Sequence, residues 1–214
     1  MTHSLLEPFA VIPVVTVTDL EHAVPIAQAL VSGGLPVIEL TLRTPVALDA
    51  LRRIAEQVPE IRVGAGTIIT VEQAKEAAEA GAQFLVSPGS TASLLAAMTD
   101  TGLPHLPGAA TVSEILSLLE RGYRELKFFP AEASGGKAFL SSLHAPVPAA
   151  RFCPTGGITA AIAPDYLALP NVGCVGGTWI TPPGALTAAD WTHVRELANA
   201  AAALGQQRAA SLSA

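Results

Sequence analysis

Two kinds of hydrophobic pattern alternate along the chain. Short apolar runs rich in Val, Ile, Leu and Phe are followed by longer stretches in which apolar residues recur every three or four positions. The first pattern marks β-strands and the second amphipathic helices. Strands are expected at 10–17, 36–41, 61–66, 83–87, 104–107, 124–129, 151–155 and 172–176. Helices are expected at 20–32, 45–58, 71–80, 91–101, 112–120, 136–143, 160–169 and 188–204. Thr44 ahead of Pro45, Thr70 ahead of Glu72, Thr111 ahead of Glu114 and Thr187 ahead of Asp190 are the expected amino-terminal caps, while Gly33, Gly81, Gly102, Gly122 and Gly205 are placed to end helices.

Eight strand–helix units leave no room for a second domain. They predict an α/β chain folded as a single (β/α)8 TIM barrel over 1–214, with a short lead-in at 1–9 crossing the barrel floor as a turn of helix and a frayed tail at 206–214. An open doubly wound sheet is the alternative. It would place special residues at one switch point and a G-x-G-x-x-G in the first unit, but no such motif is present. Instead Thr16, Glu39, Thr67, Pro88, Pro107, Lys127, Thr155 and Thr178 end successive strands, and in a barrel all eight face one mouth.

Composition narrows the function. Of 214 residues 50% are hydrophobic and 14% charged, which supports one sizeable core and excludes intrinsic disorder. A net charge of −6 argues against a nucleic-acid partner or a polybasic membrane contact. The long uncharged stretch at 166–189 is broken by Pro170, Gly176, Gly177, Pro182 and Pro183, so no membrane span is expected. With no basic-then-apolar leader, the chain is expected in the cytoplasm, with Cys153 and Cys174 as reduced thiols in the core. The five histidines are scattered, and no H-x-x-H, H-E-x-x-H or C-x-x-C occurs, so neither a metal nor another cofactor is expected. His105 alone is placed to reach the mouth, and a packed or capped ring is its expected fate.

The chain has three lysines, Lys75, Lys127 and Lys137, and Lys127 lies inside the apolar strand Leu126-Lys127-Phe128-Phe129-Pro130. Alternation turns Glu125, Lys127 and Phe129 to one face and Leu126 and Phe128 to the helices. Loss of water favours the free amine of a lysine, which attacks a ketone to form a Schiff base. A snorkelling lysine, or one paired with a core carboxylate such as Glu125, would occupy the same position.

Glu39, within Val37-Ile38-Glu39-Leu40-Thr41, points inward by the same parity, where it can move protons or form an ion pair with Arg43 or Lys127. Arg43 offers a fork for a carboxylate unless it is a solvated surface charge, and Thr67 offers a hydroxyl beside it unless it caps the next helix. The pairs Gly156-Gly157 and Gly176-Gly177, the latter followed by Thr178, leave the seventh and eighth strands, where barrels bind phosphate; each pair alone would be an ordinary turn. Pro88-Gly89 and Pro107-Gly108 shape the rim.

With these residues assembled, the sequence resembles the bacterial family of 2-keto-3-deoxy-6-phosphogluconate (KDPG) and 4-hydroxy-2-oxoglutarate (KHG) aldolases, the class I aldolases of the Entner–Doudoroff route. The likeness runs through Val11-Ile12-Pro13-Val14-Val15, Ile38-Glu39-Leu40-Thr41-Leu42-Arg43-Thr44, Val63-Gly64-Ala65-Gly66-Thr67, Phe84-Leu85-Val86-Ser87-Pro88-Gly89, Leu106-Pro107-Gly108, Leu126-Lys127-Phe128-Phe129-Pro130-Ala131-Glu132, Pro154-Thr155-Gly156-Gly157-Ile158 and Val175-Gly176-Gly177. It implies a homotrimeric barrel enzyme in which Lys127 forms the Schiff base with pyruvate and Glu39 acts through water as acid and base. Arg43 and Thr67 would hold the pyruvyl carboxylate, and Pro88, Phe129 and Thr155 would line the keto acid. Gly156, Gly157, Gly176, Gly177 and Thr178 would cradle the phosphate, with Thr178 standing where the family often has serine. The expected substrates are a 2-keto acid, pyruvate and a phosphorylated aldehyde. Aldolases for 4-hydroxy-2-oxoglutarate or the phosphogalactonate analogue are the near alternatives. A phosphate-binding barrel isomerase and a silent metabolite-binding barrel are the distant ones.

Overall fold

In a computed structural model, residues 4–7 and 9–212 are described. Nine strands appear among them: β1 Val11–Val15, β2 Val37–Thr41, β3 Arg62–Gly66, β4 Phe84–Val86, β5 His105–Leu106, β6 Gly108–Ala109, β7 Glu125–Phe128, β8 Arg151–Pro154 and β9 Val175–Gly177. The helices are α1 Ala23–Ser32, α2 Ala47–Gln57, α3 Val71–Glu79, α4 Ala92–Asp100, α5 Val112–Glu120, α6 Gly136–Leu143, α7 Ala163–Leu167, α8 Pro183–Thr187 and α9 Trp191–Leu212. Short 3-10 turns cover Leu20–His22 and Glu132–Ser134.

The expectation of a closed (β/α)8 TIM barrel is not met. The strands form a six-stranded sheet, in the order β5-β4-β3-β2-β1-β9, and a separate three-stranded sheet, β6-β7-β8. All described strand pairs are parallel. One cause lies in the fifth expected strand. Pro107 has no N–H to give to a ladder, and the chain divides there, so that β5 pairs with β4 while β6 pairs with β7. At the other junction, β8 and the segment around β9 are joined by the isolated bridges Phe152↔Val172 and Thr155↔Gly176 and not by a ladder of the described strands. The molecule is therefore an α/β fold of two parallel sheets.

The period-two pattern places the side chains as expected. Ile38, Leu40, Leu126 and Phe128 join the large cluster packed under the helices, and Phe128 stacks on Phe139 of α6 with ring centres 5.1 Å apart. Ile12, Val37, Phe84, Val86, Leu106 and Cys153 form a second cluster with Leu5 and Leu6. Residues 4–7 run as a bend rather than a helical turn. Glu125 receives the Ser4 hydroxyl and, at 2.8 Å, the Leu5 amide, which anchors this segment to the amino end of β7.

Two expected caps are realised as reciprocal boxes: Thr70 with Gln73 on α3, and Thr111 with Glu114 on α5. Thr44 and Thr187 do other things. The Thr44 hydroxyl donates to the Val17 carbonyl at 2.6 Å and α2 begins later, while Thr187 ends α8 and Asp190 accepts the His193 amide at the start of α9. Gly205 does not stop the last helix, since α9 continues to Leu212. Of the expected tail, residues 213 and 214 lie outside the described residues, as do 1–3 and 8 of the lead-in. Among the described residues no helix is long and apolar enough to cross a membrane.

Candidate active site

Lys127 and Glu39 lie on different sheets and meet in the interior. Lys127 Nζ stands 2.8 Å from Glu39 Oε1, with the two residues 3% and 2% exposed. Neither charge has water to stabilise it, so each depends on the other. The partner of Lys127 is thus Glu39 and not Glu125, whose carboxylate is occupied by Ser4 and Leu5. Strand β3 makes the space. Glu39 pairs in register with Gly64, and a Cβ built on Gly66 would stand 2.2 Å from Glu39 Oε1. Lys127 Nζ also lies 5.5 Å from the centre of the Phe129 ring, a distance at which the aromatic face attracts an ammonium.

Arg43 and Thr67 come together on the loops after β2 and β3, where Arg43 Nε donates to Thr67 Oγ1 at 3.0 Å. Thr67 is not a helix cap. Its φ of 59° is a left-handed value rarely taken by a β-branched residue, and Thr70 caps α3 instead. Such strain is concentrated at functional sites. The bond to Thr67 uses Nε and leaves the terminal nitrogens of Arg43 without a described protein hydrogen bond.

Pro88 lies against β6, since a Cβ on Gly108 would stand 2.3 Å from its carbonyl, and Gly108 is the register partner of Lys127. Thr155 is buried, bridges to Gly176 and has its hydroxyl 3.4 Å from the Cys153 carbonyl. Gly156 and Gly157 have φ of 101° and 81°, conformations that favour glycine. Gly176 and Gly177 are strand residues pressed against Thr155 and the Trp179 ring. Thr178 is exposed and lines a cavity of about 680 Å³ together with Thr16, Thr18, Asp19 and Thr181.

His105 does not join this group. It lies on a cavity of about 460 Å³ with Ser4, Tyr123 and Glu125, and its ring bonds to the Tyr123 hydroxyl at 2.7 Å and to the Leu103 carbonyl at 3.2 Å. Burial lowers its pKa below the usual histidine value, and the bond to Leu103 opposes this. Among the described residues, no group of three or more His, Cys, Asp or Glu side chains is placed to hold a metal ion.

Two features were not read from the sequence. Gly66 admits the Glu39 carboxylate, and a glycine inside a strand was the available signal for such an approach. Thr41, fully buried, shares a 2.8 Å hydroxyl contact with Thr16 beside the site. Its period-two spacing from Glu39 was the only trace.

The sequence model of the family described as KDPG and KHG aldolase matches residues 3–197. The KHG/KDPG aldolase of Escherichia coli strain K12 is 51% identical over 198 residues, covering 92% of this chain and 93% of its own. Among solved structures, a KDPG aldolase from Legionella pneumophila with pyruvate captured at low pH as a covalent carbinolamine intermediate is 45% identical. It superposes with a TM-score of 0.90 over 92% of this chain and 96% of its own. The 2-keto-3-deoxy-6-phosphogluconate aldolase of Zymomonas mobilis ZM4 with 3-phosphoglycerate is 43% identical, with a TM-score of 0.88 over 93% of each chain. A buried lysine–glutamate pair at the meeting of two parallel sheets, together with likeness along nearly the whole sequence, places this chain in the KDPG and KHG aldolase family.

Proposed function

We propose that this chain is a class I aldolase that reversibly cleaves 2-keto-3-deoxy-6-phosphogluconate to pyruvate and D-glyceraldehyde 3-phosphate through a Schiff base on Lys127. The observation that carries this reading is the 2.8 Å contact between Lys127 Nζ and Glu39 Oε1, with both residues buried. Glu39 first takes a proton from the Lys127 ammonium, and the free amine attacks the C2 ketone; a proton then passes from the adduct nitrogen to the alkoxide to give the carbinolamine, and Glu39 returns its proton to that hydroxyl, which leaves as water as the protonated imine forms. Glu39, acting through a water, then removes the C4 hydroxyl proton. The C3–C4 bond breaks, its electron pair passes to the protonated imine, and the aldehyde departs. Glu39 delivers a proton to C3 of the enamine, and hydrolysis frees pyruvate and the amine.

The same reading gives the pyruvyl carboxylate to Arg43 and Thr67, with the terminal guanidinium nitrogens as a fork. Phe129, Pro88 and Thr155 bound the keto acid, and Gly156, Gly157, Gly176, Gly177 and Thr178 hold the phosphate. Cleavage of 4-hydroxy-2-oxoglutarate at the same site is the second reading, favoured by an Escherichia coli relative named for both substrates. The proposal includes a cytoplasmic setting and a homotrimer. Exposed apolar side chains at Ile69, Val71, Val112 and Leu116 support contact between subunits.

Pyruvate release from the phosphorylated and unphosphorylated keto acids tests the reading. Wild type is expected to turn over, and Lys127→Arg to lose at least about a thousandfold in kcat. Full activity in Lys127→Arg would contradict an imine and favour isomerase-like use of Glu39 as a base.

A further inference from the structure

The Gly156–Gly157 turn rests on a hydrogen-bonded brace that takes no part in the aldol steps. Tyr166, on α7, is 2% exposed, and its hydroxyl donates to Glu132 Oε1 in the turn after β7. Burial, followed by the neighbouring Glu132 carboxylate, raises the phenol pKa well above its ordinary value and keeps the proton on Tyr166. Gly136 leaves room for the bond, since a Cβ there would stand 3.0 Å from both oxygens.

The brace reaches the glycine turn by three contacts. Ala131 N donates to the Thr155 carbonyl at 2.8 Å, and Glu132 N donates to the Gly156 carbonyl at 3.1 Å. A Cβ on Gly157 would stand 2.7 Å from Glu132 Cγ, so the Glu132 side chain is the surface against which Gly157 lies. Two adjacent glycines at positive φ have many other conformations open to them, and main-chain amides hold an anion well only when their directions are fixed beforehand.

We propose that Glu132 and Tyr166 are positioning residues for phosphate recognition: their hydrogen bond fixes the Gly156–Gly157 turn and ties it to the strand that carries Lys127. This inference rests on the reading of that turn as a phosphate site. It assigns the pair a role in gripping the phosphorylated end of the substrate and none in the chemistry at C2 to C4.

The test is steady-state kinetics on the phosphorylated keto acid and its unphosphorylated counterpart for wild type, Tyr166→Phe, Glu132→Ala and Glu132→Gln. Tyr166→Phe and Glu132→Ala are expected to raise KM for the phosphorylated substrate about tenfold with kcat within about twofold, and to leave kcat/KM for the unphosphorylated one unchanged. Glu132→Gln keeps an acceptor oxygen for Tyr166 and should stay within about threefold of wild type. Glu132 is exposed, so Glu132→Ala supplies the test even if Tyr166→Phe fails to fold. Equal losses on both substrates, or an unchanged KM for the phosphorylated one in a wild type that does prefer phosphate, would overturn the positioning role. A wild type that handles both substrates alike would instead overturn the phosphate reading itself, and the inference with it.

Discussion

Lys127 and Glu39 are each unfavourable in the interior alone, and together they form the one described ion pair with both side chains nearly out of solvent. Removing one partner leaves an uncompensated charge, so Lys127→Met should cost about 3–5 kcal/mol of stability and abolish turnover. Glu39→Gln should lower kcat about 10²–10⁴-fold. Urea unfolding should show the double variant losing less than the sum of the single losses, and strict additivity would count against a coupled pair. Much of this was legible in the sequence, because a lysine between Leu126 and Phe128 must face away from the helices. Which carboxylate it meets was not legible. Glu125 and Glu39 share the inward parity, and the choice depends on Ser4 and Leu5 returning from a distant part of the chain to occupy Glu125.

At the scale of elements, the site depends on how closely β3 passes beneath Glu39. Gly66→Ala places a Cβ in the space of the carboxylate. Overpacking of this kind costs about 1–3 kcal/mol, and here it should also lower kcat by displacing Glu39 from Lys127. Thr70→Ala is the matched control: it removes a capping box from α3 and should cost about 1 kcal/mol with unchanged kinetics. Melting and pyruvate release on the two variants separate the effects, and a kinetic defect in the control would contradict the assignment. Thr70 and Thr111 were readable as caps because each precedes an acidic first turn, at Glu72 and Glu114, and their bonds close within one turn, with Gln73 and Glu114 as the reciprocal partners. Thr44 has no such partner, and a tertiary acceptor, the Val17 carbonyl, takes its hydroxyl instead.

At the scale of the whole molecule, the alternation of strands and helices was legible, but neither the ninth strand nor the division into two sheets was. The expected strand stops at Pro107 and gives no sign that Gly108–Ala109 follows as a separate strand paired with β7 while β5 pairs with β4. The Lys127–Glu39 contact crosses between these sheets, so the proposed mechanism links catalysis to the packing of the two sheets. His105 adds a pH dependence. Its pKa is depressed in the folded chain, so below its ordinary 6.5 the unfolded chain takes up a proton that the folded chain refuses. This contribution is absent above that pH, and stability falls as pH drops from 6.5 towards the folded value. Denaturant midpoints at about pH 7.5 and 5.5 should therefore separate more in wild type than in His105→Gln, and equal slopes would contradict the assignment. Borohydride reduction of the protein with pyruvate, followed by peptide mass mapping, tests whether Lys127 is the nucleophile. A reduced pyruvyl adduct on Lys127 is expected, and folded protein without an adduct, or with one on Lys75 or Lys137 instead, would contradict the Schiff base on Lys127.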